Sequence, residues 1–453
     1  MKRGLFSILI LSFLSASVVW GETLPALPKG PLLLTGMTPE QLSPDYWINR
    51  LPNPDQAIKT PEELELFNRE IDAMVAERVD LFALERERGG RSVRDQLRLE
   101  FDTVRGRILF DVEGKRIRQD LFSGEIGPNM GFDLVSARIR LKWGVATQAT
   151  SIRALPTQVK MLEEVGDIEF DQLQFSLIKL WTPVAILHES RDGAWFYVQA
   201  PYVRGWVRAK DIALFSSRDE LKQWASSKKI LVVTGESIAI YLDAALTDSS
   251  LRASMGTTLP LIAQSESAYE IRIPTRKADG SVLIGPAYVD LKSDVSIGYP
   301  AFTQRNVIRQ AFKLLGARYG WGGMYDGRDC SGFTHDVYLS LGVQIPRDSK
   351  QQGLVGTQLG HFEPGEYERE KINALRTGMP GNTLLRMPLH MMLYLGEIDG
   401  RFFVVHSTWA ERVSMTSDEK NRINQVVVSD LSLNGKSYLG SLFDRIVSIN
   451  ELN

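Results

Sequence analysis

Apolar residues between residues 60 and 90 have the three- and four-residue spacing of a helix with one buried face. Thr60, Pro61 and Glu63 have the pattern of a capping box with proline at the first helical position, so we expect the helix to begin there. The glycines at 89–90 predict its end. Residues 22–130 are therefore predicted to be a mainly helical N-terminal domain. The positions predicted to be buried are Leu64, Phe67, Ile71, Met74, Val75 and Phe82.

After residue 130 the pattern changes to short alternating segments, which predict strands. The aromatic-rich segment 194–198 is followed by Gly205, Trp206 and Val207, and this pair of strands resembles bacterial Src-homology-3-like (SH3-like) barrels, which are small closed sheets. We interpret most of these aromatic side chains as core. Residues 131–215 are predicted to form a first barrel and residues 216–298 a second. The strands predicted for the second barrel are 230–233, 238–241, 269–273 and 287–289.

The last region, residues 299–453, begins with a predicted helix around Val307 and Ala311. A glycine-rich loop and the segment Asp329-Cys330-Ser331-Gly332-Phe333 follow. Phe333, Val337 and Leu341 then recur at helical spacing, which places Cys330 at a helix N-terminus. The whole chain is thus predicted to be a multidomain α+β protein.

Cys330 is the only cysteine in the chain, so no intrachain disulfide can form. A lone thiol is either buried and inert or retained for its chemistry. The positive end of a helix, or a neighbouring imidazolium, can lower the pKa of a thiol and favour the nucleophilic thiolate. The same helix end offers backbone N–H groups to an oxyanion.

Two of the five histidines are candidates for the base that a cysteine nucleophile needs. His390 begins one predicted strand and His406 lies in the next, after a turn at residues 399–400, so a hairpin can place them side by side. One histidine could take the thiol proton while the other orients it. We expect His335 and His361 to face solvent, and His188 lies in the first predicted barrel, remote in sequence from Cys330.

Four spaced motifs resemble the NlpC-type cell-wall peptidases, and the resemblance covers about the last 155 residues. They are Tyr319-x-Trp321-Gly322-Gly323, Asp329-Cys330-Ser331-Gly332-Phe333, His390-x-x-x-Tyr394-x-Gly396 and His406. The regions ahead resemble the subgroup with an N-terminal helical domain and tandem SH3-like domains. The resemblance implies a papain-like fold, a helix carrying Cys330 on an antiparallel sheet carrying His390 and His406.

The implied reaction is hydrolysis of the bond between γ-D-glutamate and a diamino acid, such as diaminopimelate, in peptidoglycan stem peptides. Relatives with such barrels favour stems with a free N-terminal L-alanine. The resemblance assigns binding of that amine to Asp329, assisted by Ser331 and Tyr319, with Ser349 lining the same pocket. A carboxylate beside the nucleophile raises the thiol pKa. A substrate ammonium gives such a carboxylate a function. The structural alternatives are helix capping for Asp329, local backbone capping for Ser331 and Ser349, and core packing for Tyr319.

Residues 1–21 have the layout of a secretory signal peptide, with Lys2 and Arg3 ahead of a short apolar run and small residues after it. The run is short for a membrane anchor. We expect an exported protein, most simply periplasmic, without stable membrane insertion after cleavage. The net charge of −2 gives no basic surplus for nucleic acid. The expected partners are stem peptides or muropeptides, and we expect a monomer that uses no cofactor or metal.

Three other interpretations remain open on the sequence. An amidase or transacylase could use the same cysteine and histidines, because fold does not fix substrate. A non-catalytic wall-binding scaffold would use the barrels alone. A zinc site could be built from one cysteine and two histidines, although the helix start favours a nucleophile.

Overall fold

The structure is a computed structural model, and it describes residues 30–363 and 367–453. The predicted signal peptide therefore lies outside the described residues. Within them, no helix combines the length and the apolar character needed to cross a membrane.

The N-terminal region, residues 30–130, contains several helices but no separate helical core. Phe67 and Ile71 of one helix pack with the C-terminal region, whereas Leu97 and Phe101 of another pack with the β-structure that follows. Each helix has a single apolar face, so it buries that face against a neighbouring region. The prediction of an independent helical domain is not confirmed. The elements are α1 (Pro44–Ile48), α2 (Pro61–Met74), β1 (Glu87–Gly89), α3 (Gly90–Arg105), α4 (Gln119–Leu121) and α5 (Gly127–Asn129).

The start of α2 is as predicted, because the Thr60 side chain accepts a hydrogen bond from the Glu63 N–H and the Glu63 carboxylate accepts one from the Thr60 N–H. Its end is not. The helix stops at Met74, which is 55% exposed, and Gly90 begins α3 instead of ending α2. A Cβ at Gly90 would lie 1.7 Å from the Ser136 carbonyl oxygen, so this glycine permits a close passage of two chain segments.

The first β region, residues 131–215, is a seven-stranded antiparallel sheet with the open order β5-β4-β8-β7-β6-β3-β9. The two aromatic segments predicted to pair do so, as β7 and β8. The predicted closed barrel is not found among the described residues. The two edge strands of the open sheet are covered by other regions instead. The C-terminal region covers β5, and the segment around Ser281 covers β9. The strands are β2 (Arg138–Arg140), β3 (Lys142–Ala146), β4 (Thr150–Arg153), β5 (Gln174–Ile178), β6 (Pro183–Glu189), β7 (Trp195–Gln199), β8 (Arg204–Arg208) and β9 (Ile212–Phe215).

The second β region, residues 216–298, forms a five-stranded sheet of order β15-β14-β13-β10-β16 and a separate ladder of β11 with β12. All four predicted strand segments lie in or overlap observed strands, but the described residues do not form a closed barrel here either. The elements are α6 (Arg218–Ala225), β10 (Ile230–Val233), β11 (Ser237–Ile240), β12 (Leu251–Ser254), β13 (Thr258–Gln264), β14 (Ala268–Arg276), β15 (Val282–Asp290) and β16 (Val295–Ile297).

The C-terminal region is a six-stranded antiparallel sheet of order β17-β22-β18-β19-β20-β21, with helices against it. Met391, Leu393 and Leu395 pack with α7 and α8 in one core, while Met392 and Tyr394 belong to another core with α10. The alternation shows that this sheet is buried on both faces. The elements are α7 (Gln304–Lys313), α8 (Cys330–Leu339), α9 (Ser349–Gln352), β17 (Thr357–His361), α10 (Glu368–Thr377), β18 (Thr383–Met387), β19 (His390–Ile398), β20 (Arg401–Arg412), β21 (Lys420–Asp430) and β22 (Ser448–Glu451).

Candidate active site

Cys330 is the first residue of α8, as the sequence predicted. Asp329 caps the helix by accepting a hydrogen bond of 2.7 Å from the Gly332 N–H. Cys330 is 7% exposed, and its Sγ lies 3.9 Å from the carbonyl oxygen of Leu389. The Met391 N–H also points at the sulfur. The sulfur therefore lies against the backbone on both sides of His390.

The two predicted histidines are neighbours at the start of the β19–β20 hairpin. The His390 Nε2 and His406 Nδ1 atoms are 2.8 Å apart, and the rings meet edge to face. The His406 Nε2 atom lies 3.1 Å from the Ser429 hydroxyl on β21. Ser429 pairs with Val404, two residues before His406, which places the hydroxyl on the same face of the sheet. Sequence reasoning missed Ser429, because nothing in its local pattern distinguishes it from other strand serines.

Burial, and after it the negative charge of Asp329, raise the pKa of the Cys330 thiol to about 12. Backbone N–H groups of Met391 and Ser331 and the charge of Arg347 favour the thiolate but do not outweigh burial. The N–H of Ser331 at the helix start thus acts in the expected direction, but burial and Asp329 outweigh it, so the thiol pKa is raised. At neutral pH the structure holds a thiol.

Burial also lowers the pKa of His390 to about 4, with the charge of Arg445 acting in the same direction. Burial lowers the pKa of His406 well below its ordinary value, and His390 contributes to this. Both imidazoles are neutral at pH 7. The resting site is accordingly a thiol beside a neutral histidine pair, which can accept the thiol proton only as the sulfur attacks.

Asp329 is held in a buried ionic cluster. Arg347 donates to both carboxylate oxygens, at 3.0 and 2.7 Å, and the Gly322 N–H donates to one of them at 2.9 Å. Burial acts to raise the pKa of Asp329, but the charge and hydrogen bonds of Arg347, together with the N–H groups of Gly332 and Gly322, outweigh it, so the pKa is lowered. The Ser331 hydroxyl donates to Asp329 at 3.3 Å and accepts from Arg347 at 3.1 Å. The structure thus brings Asp329 and Ser331 together and adds Arg347, which sequence reasoning did not name.

The other two predicted binding residues are placed differently. Tyr319 is 8% exposed and lines the groove that also contains His390. Ser349 begins the short helix α9 after its cap Asp348, and it is partly buried two residues beyond Arg347. Tyr319 and Ser349 therefore stay predictions as substrate contacts.

The groove lined by His390, Tyr319 and Trp409, which we call the site groove, has a volume of about 460 Å³. One wall is a loop of the first β region. Its Phe170 ring packs against Tyr319, Trp321 and Trp409, with ring centroids 5.3 to 6.0 Å apart. Neither Phe170 nor Trp409 was predicted, because their proximity depends on how two distant regions pack.

Glu169 fixes this loop to the C-terminal region. Its buried carboxylate accepts hydrogen bonds from Arg318 at 2.6 Å, from the Trp409 indole at 3.0 Å and from Asn424 at 3.1 Å, and it pairs with Arg422. The glycine loop makes a second contact, since the Gly322 carbonyl accepts from Gln174 of β5 at 3.0 Å. A Cβ at Gly322 would lie 2.7 Å from the Gln174 side chain, so only glycine allows this approach.

The prediction that His335 faces solvent is wrong. It is 3% exposed, its Nδ1 lies 3.4 Å from Asp336, and its ring packs against Tyr202 of the first β region. Asp336 also accepts hydrogen bonds from Lys179 and Arg328. The first β region covers the face of α8 that an isolated helix would expose. His361, by contrast, is exposed as expected.

Comparisons with known proteins agree with this geometry. Residues 316–432 match the NlpC/P60 family, and residues 161–208 match an SH3 domain of the SH3b1 type. The chain is 31% identical over 196 residues to a γ-D-glutamyl-L-lysine dipeptidyl-peptidase of Bacillus cereus (strain ATCC 10987 / NRS 248), covering 41% of this chain and 52% of that protein. A protein of the same name from Bacillus subtilis (strain 168) is 29% identical over 110 residues, covering 24% and 34%. The chain thus spans about half the length of the first relative and a third of the second.

The fold as a whole is similar to a solved structure of an NlpC/P60 endopeptidase from Photobacterium damselae subsp. piscicida. The TM-score is 0.71 at 16% sequence identity, and the match covers 95% of this chain and 98% of that one. At this identity the likeness establishes the fold alone. The chain therefore carries an NlpC/P60 family domain, with an SH3 domain of the SH3b1 type ahead of it.

Proposed function

We propose that the protein is a cysteine peptidase that hydrolyses the γ-D-glutamyl–diamino acid bond of peptidoglycan stem peptides. The observation that carries the proposal is the 2.8 Å contact between His390 and His406, next to a thiol at the start of a helix. The relatives named for γ-D-glutamyl dipeptidyl-peptidase activity support the bond that we assign.

In this proposal each histidine nitrogen has a role that the order of hydrogen bonds supports. If the Nδ1 lone pair of His390 receives the thiol proton, its Nε2–H must donate to the His406 Nδ1, and the His406 Nε2–H must donate to Ser429. The Cys330 sulfur then attacks the γ-carbonyl carbon and forms a thioester. His390 returns the proton to the leaving amine of the diamino acid. Water hydrolyses the thioester and restores the thiol.

We propose further that the preferred stems have a free N-terminal L-alanine, whose ammonium contacts Asp329. Support comes from a buried carboxylate kept next to the nucleophile at the cost of a higher thiol pKa. Because Arg347 already pairs with this carboxylate, the ammonium would share it with the guanidinium. Ser331, Tyr319 and Ser349 are proposed to complete that pocket.

The proposed setting is outside the cytoplasm, in the periplasm, with the protein acting as a monomer on stem peptides or muropeptides. The SH3 domain of the SH3b1 type and the NlpC/P60 domain favour a cell-wall substrate. Within the proposal, the loop of the first β region that carries Phe170 restricts the site groove to short stems.

The direct test is mass spectrometry of L-Ala-γ-D-Glu-diaminopimelate incubated with the parent protein and with Cys330→Ala. We expect the parent alone to release L-Ala-D-Glu and the free diamino acid. A thiol reagent should abolish cleavage and a chelator should not, which separates a nucleophile from a metal site. N-acetylation of the alanine should block cleavage if the free amine is recognised.

Cleavage between glycan and peptide, or acyl transfer to another acceptor, would favour an amidase or transacylase. If the folded, reduced parent cleaves neither free stems nor intact wall, the peptidase proposal fails. Wall binding that is unaffected by Cys330→Ala would then favour a scaffold.

A further inference from the structure

Arg445 lines the site groove together with His390, and after burial its charge is the next cause that lowers the pKa of that histidine. The side chain is partly buried. Within residues 30–363 and 367–453 its guanidinium forms no hydrogen bond and no ion pair. Arg445 therefore differs from Arg347 and Arg328, whose guanidinium groups pair with carboxylates.

The neighbouring charges do not neutralise Arg445. Arg412 lines the same groove, and its positive charge, together with burial, lowers the pKa of Arg445. The nearby carboxylate of Asp418 is shared by Arg412 and Lys420, at 2.6 and 2.7 Å. This side of the groove consequently carries more positive than negative charge.

The acidic residues of the groove belong to a different segment, the loop of the first β region. Among them, Glu163 pairs with Arg107 at 2.8 Å. Asp167 and Glu164 are close enough for Glu164 to raise the pKa of Asp167, although burial is the larger cause. Positive charge from the C-terminal region and negative charge from the loop thus meet in one groove.

A partly buried guanidinium without an acceptor is costly, and a carboxylate that it binds with two parallel hydrogen bonds removes that cost. Arginine is suited to this role because its donors form a rigid planar fork. Stem peptides carry carboxylates on the glutamate and on the diamino acid, next to the bond that is cut.

We propose that Arg445 binds a carboxylate of the stem peptide in the site groove and thereby selects substrates that carry it. The inference rests on the proposed function for the identity of the ligand. The same chemistry could come from the α-carboxylate of the glutamate or from a carboxylate of the diamino acid, and the experiment distinguishes the two sources.

The test measures equilibrium binding by calorimetry in the full chain with Cys330→Ala, so that no turnover is needed. The ligands are L-Ala-γ-D-Glu-diaminopimelate, its glutamate α-amide, and the peptides with an amidated or lysine third residue. Arg445→Gln should weaken binding of the unmodified peptide about 10- to 100-fold, because the bond lost is to a charged group. Arg445→Gln should not change the affinity for whichever modified peptide already lacks the carboxylate that Arg445 binds. Arg376→Gln, an exposed arginine paired with Glu397 outside the groove, is the matched control.

Arg445→Lys should recover part of the affinity, because it keeps the charge and loses the fork. An equal effect of Arg445→Gln on every peptide, or no effect on any, would overturn the proposal. Failure of the parent to cleave any peptide would count against the proposed function. If the Cys330→Ala protein still binds the peptides, the affinities would decide the role of Arg445. If it binds none of them, the proposed role of Arg445 would be overturned as well.

Discussion

The two sides of Cys330 are built from opposite chemistry. On one side, His390, His406 and Ser429 form a chain of neutral groups, and burial lowers the pKa of both histidines. On the other side, Asp329 and Arg347 form a buried ion pair that holds its charges. Both sides are largely buried, so burial alone does not account for the difference.

The difference follows from what each side can do with a proton. A neutral histidine chain can receive a proton during attack and pass it to the leaving group. A paired carboxylate, whose pKa is lowered by arginine, cannot serve as a base near neutral pH but can fix geometry and bind charge. The following predictions test this division of roles, from the largest expected effect to the smallest.

His390→Gln should reduce kcat about 10²- to 10⁴-fold on a γ-D-Glu–diaminopimelate substrate, with little change in KM. The glutamine keeps the approximate size of the side chain and removes the base. Steady-state kinetics measures this, with the exposed His361→Gln as control. Full activity of His390→Gln would exclude the histidine side as the source of proton transfer.

Asp329→Asn should separate thiol reactivity from substrate binding. Asparagine can still cap α8, so the helix start is retained. Removal of the negative charge lowers the thiol pKa from about 12, and alkylation by iodoacetamide at pH 8 should become about tenfold faster for each unit of that decrease.

In the same variant, kcat/KM on stems with a free alanine should fall about 10- to 100-fold, because a charge-assisted contact is lost. Asp348→Asn, which changes the cap of α9, is the matched control. Slower alkylation together with unchanged peptidase activity would contradict the assignment of Asp329 to the ionic side.

Ser429→Ala should reduce kcat about tenfold, because it leaves the Nε2–H of His406 buried without an acceptor and weakens the tautomer that His390 needs. The expected signature is a shift of the acid limb of the pH–rate profile, together with recovery by Ser429→Thr. The exposed Ser417→Ala should have no effect. If Ser429→Ala lowers the stability of the protein without changing the pH–rate profile, Ser429 has only a structural role.

The sequence predicted the placement of Cys330, His390 and His406 better than it predicted what surrounds them. The start of α8 followed from a capping aspartate and three apolar residues at helical spacing, and the histidine pair followed from a hairpin turn at residues 399–400. These signals are local, since each depends on residues within a few positions of one another.

The features that sequence reasoning missed depend on contacts between distant segments. His335 is polar on a helix and was expected in solvent, but another region covers it. The raised thiol pKa depends on total burial, and Phe170 reaches the groove only because Glu169 is bound by four side chains far along the chain. The open sheets also escaped prediction, because strand alternation does not reveal whether edges meet each other or a neighbour.

The N-terminal helix α2 has a consequence for how this architecture can be divided or recombined. Its Phe67 and Ile71 share one core with Phe333 and Val337 of the cysteine helix, although more than 250 positions separate them in the chain. A fragment that begins at residue 299 would present that core surface to water. A chimaera that exchanges the C-terminal region between relatives would therefore have to include α2. The segment that must be transferred together is larger than residues 316–432, which match the family.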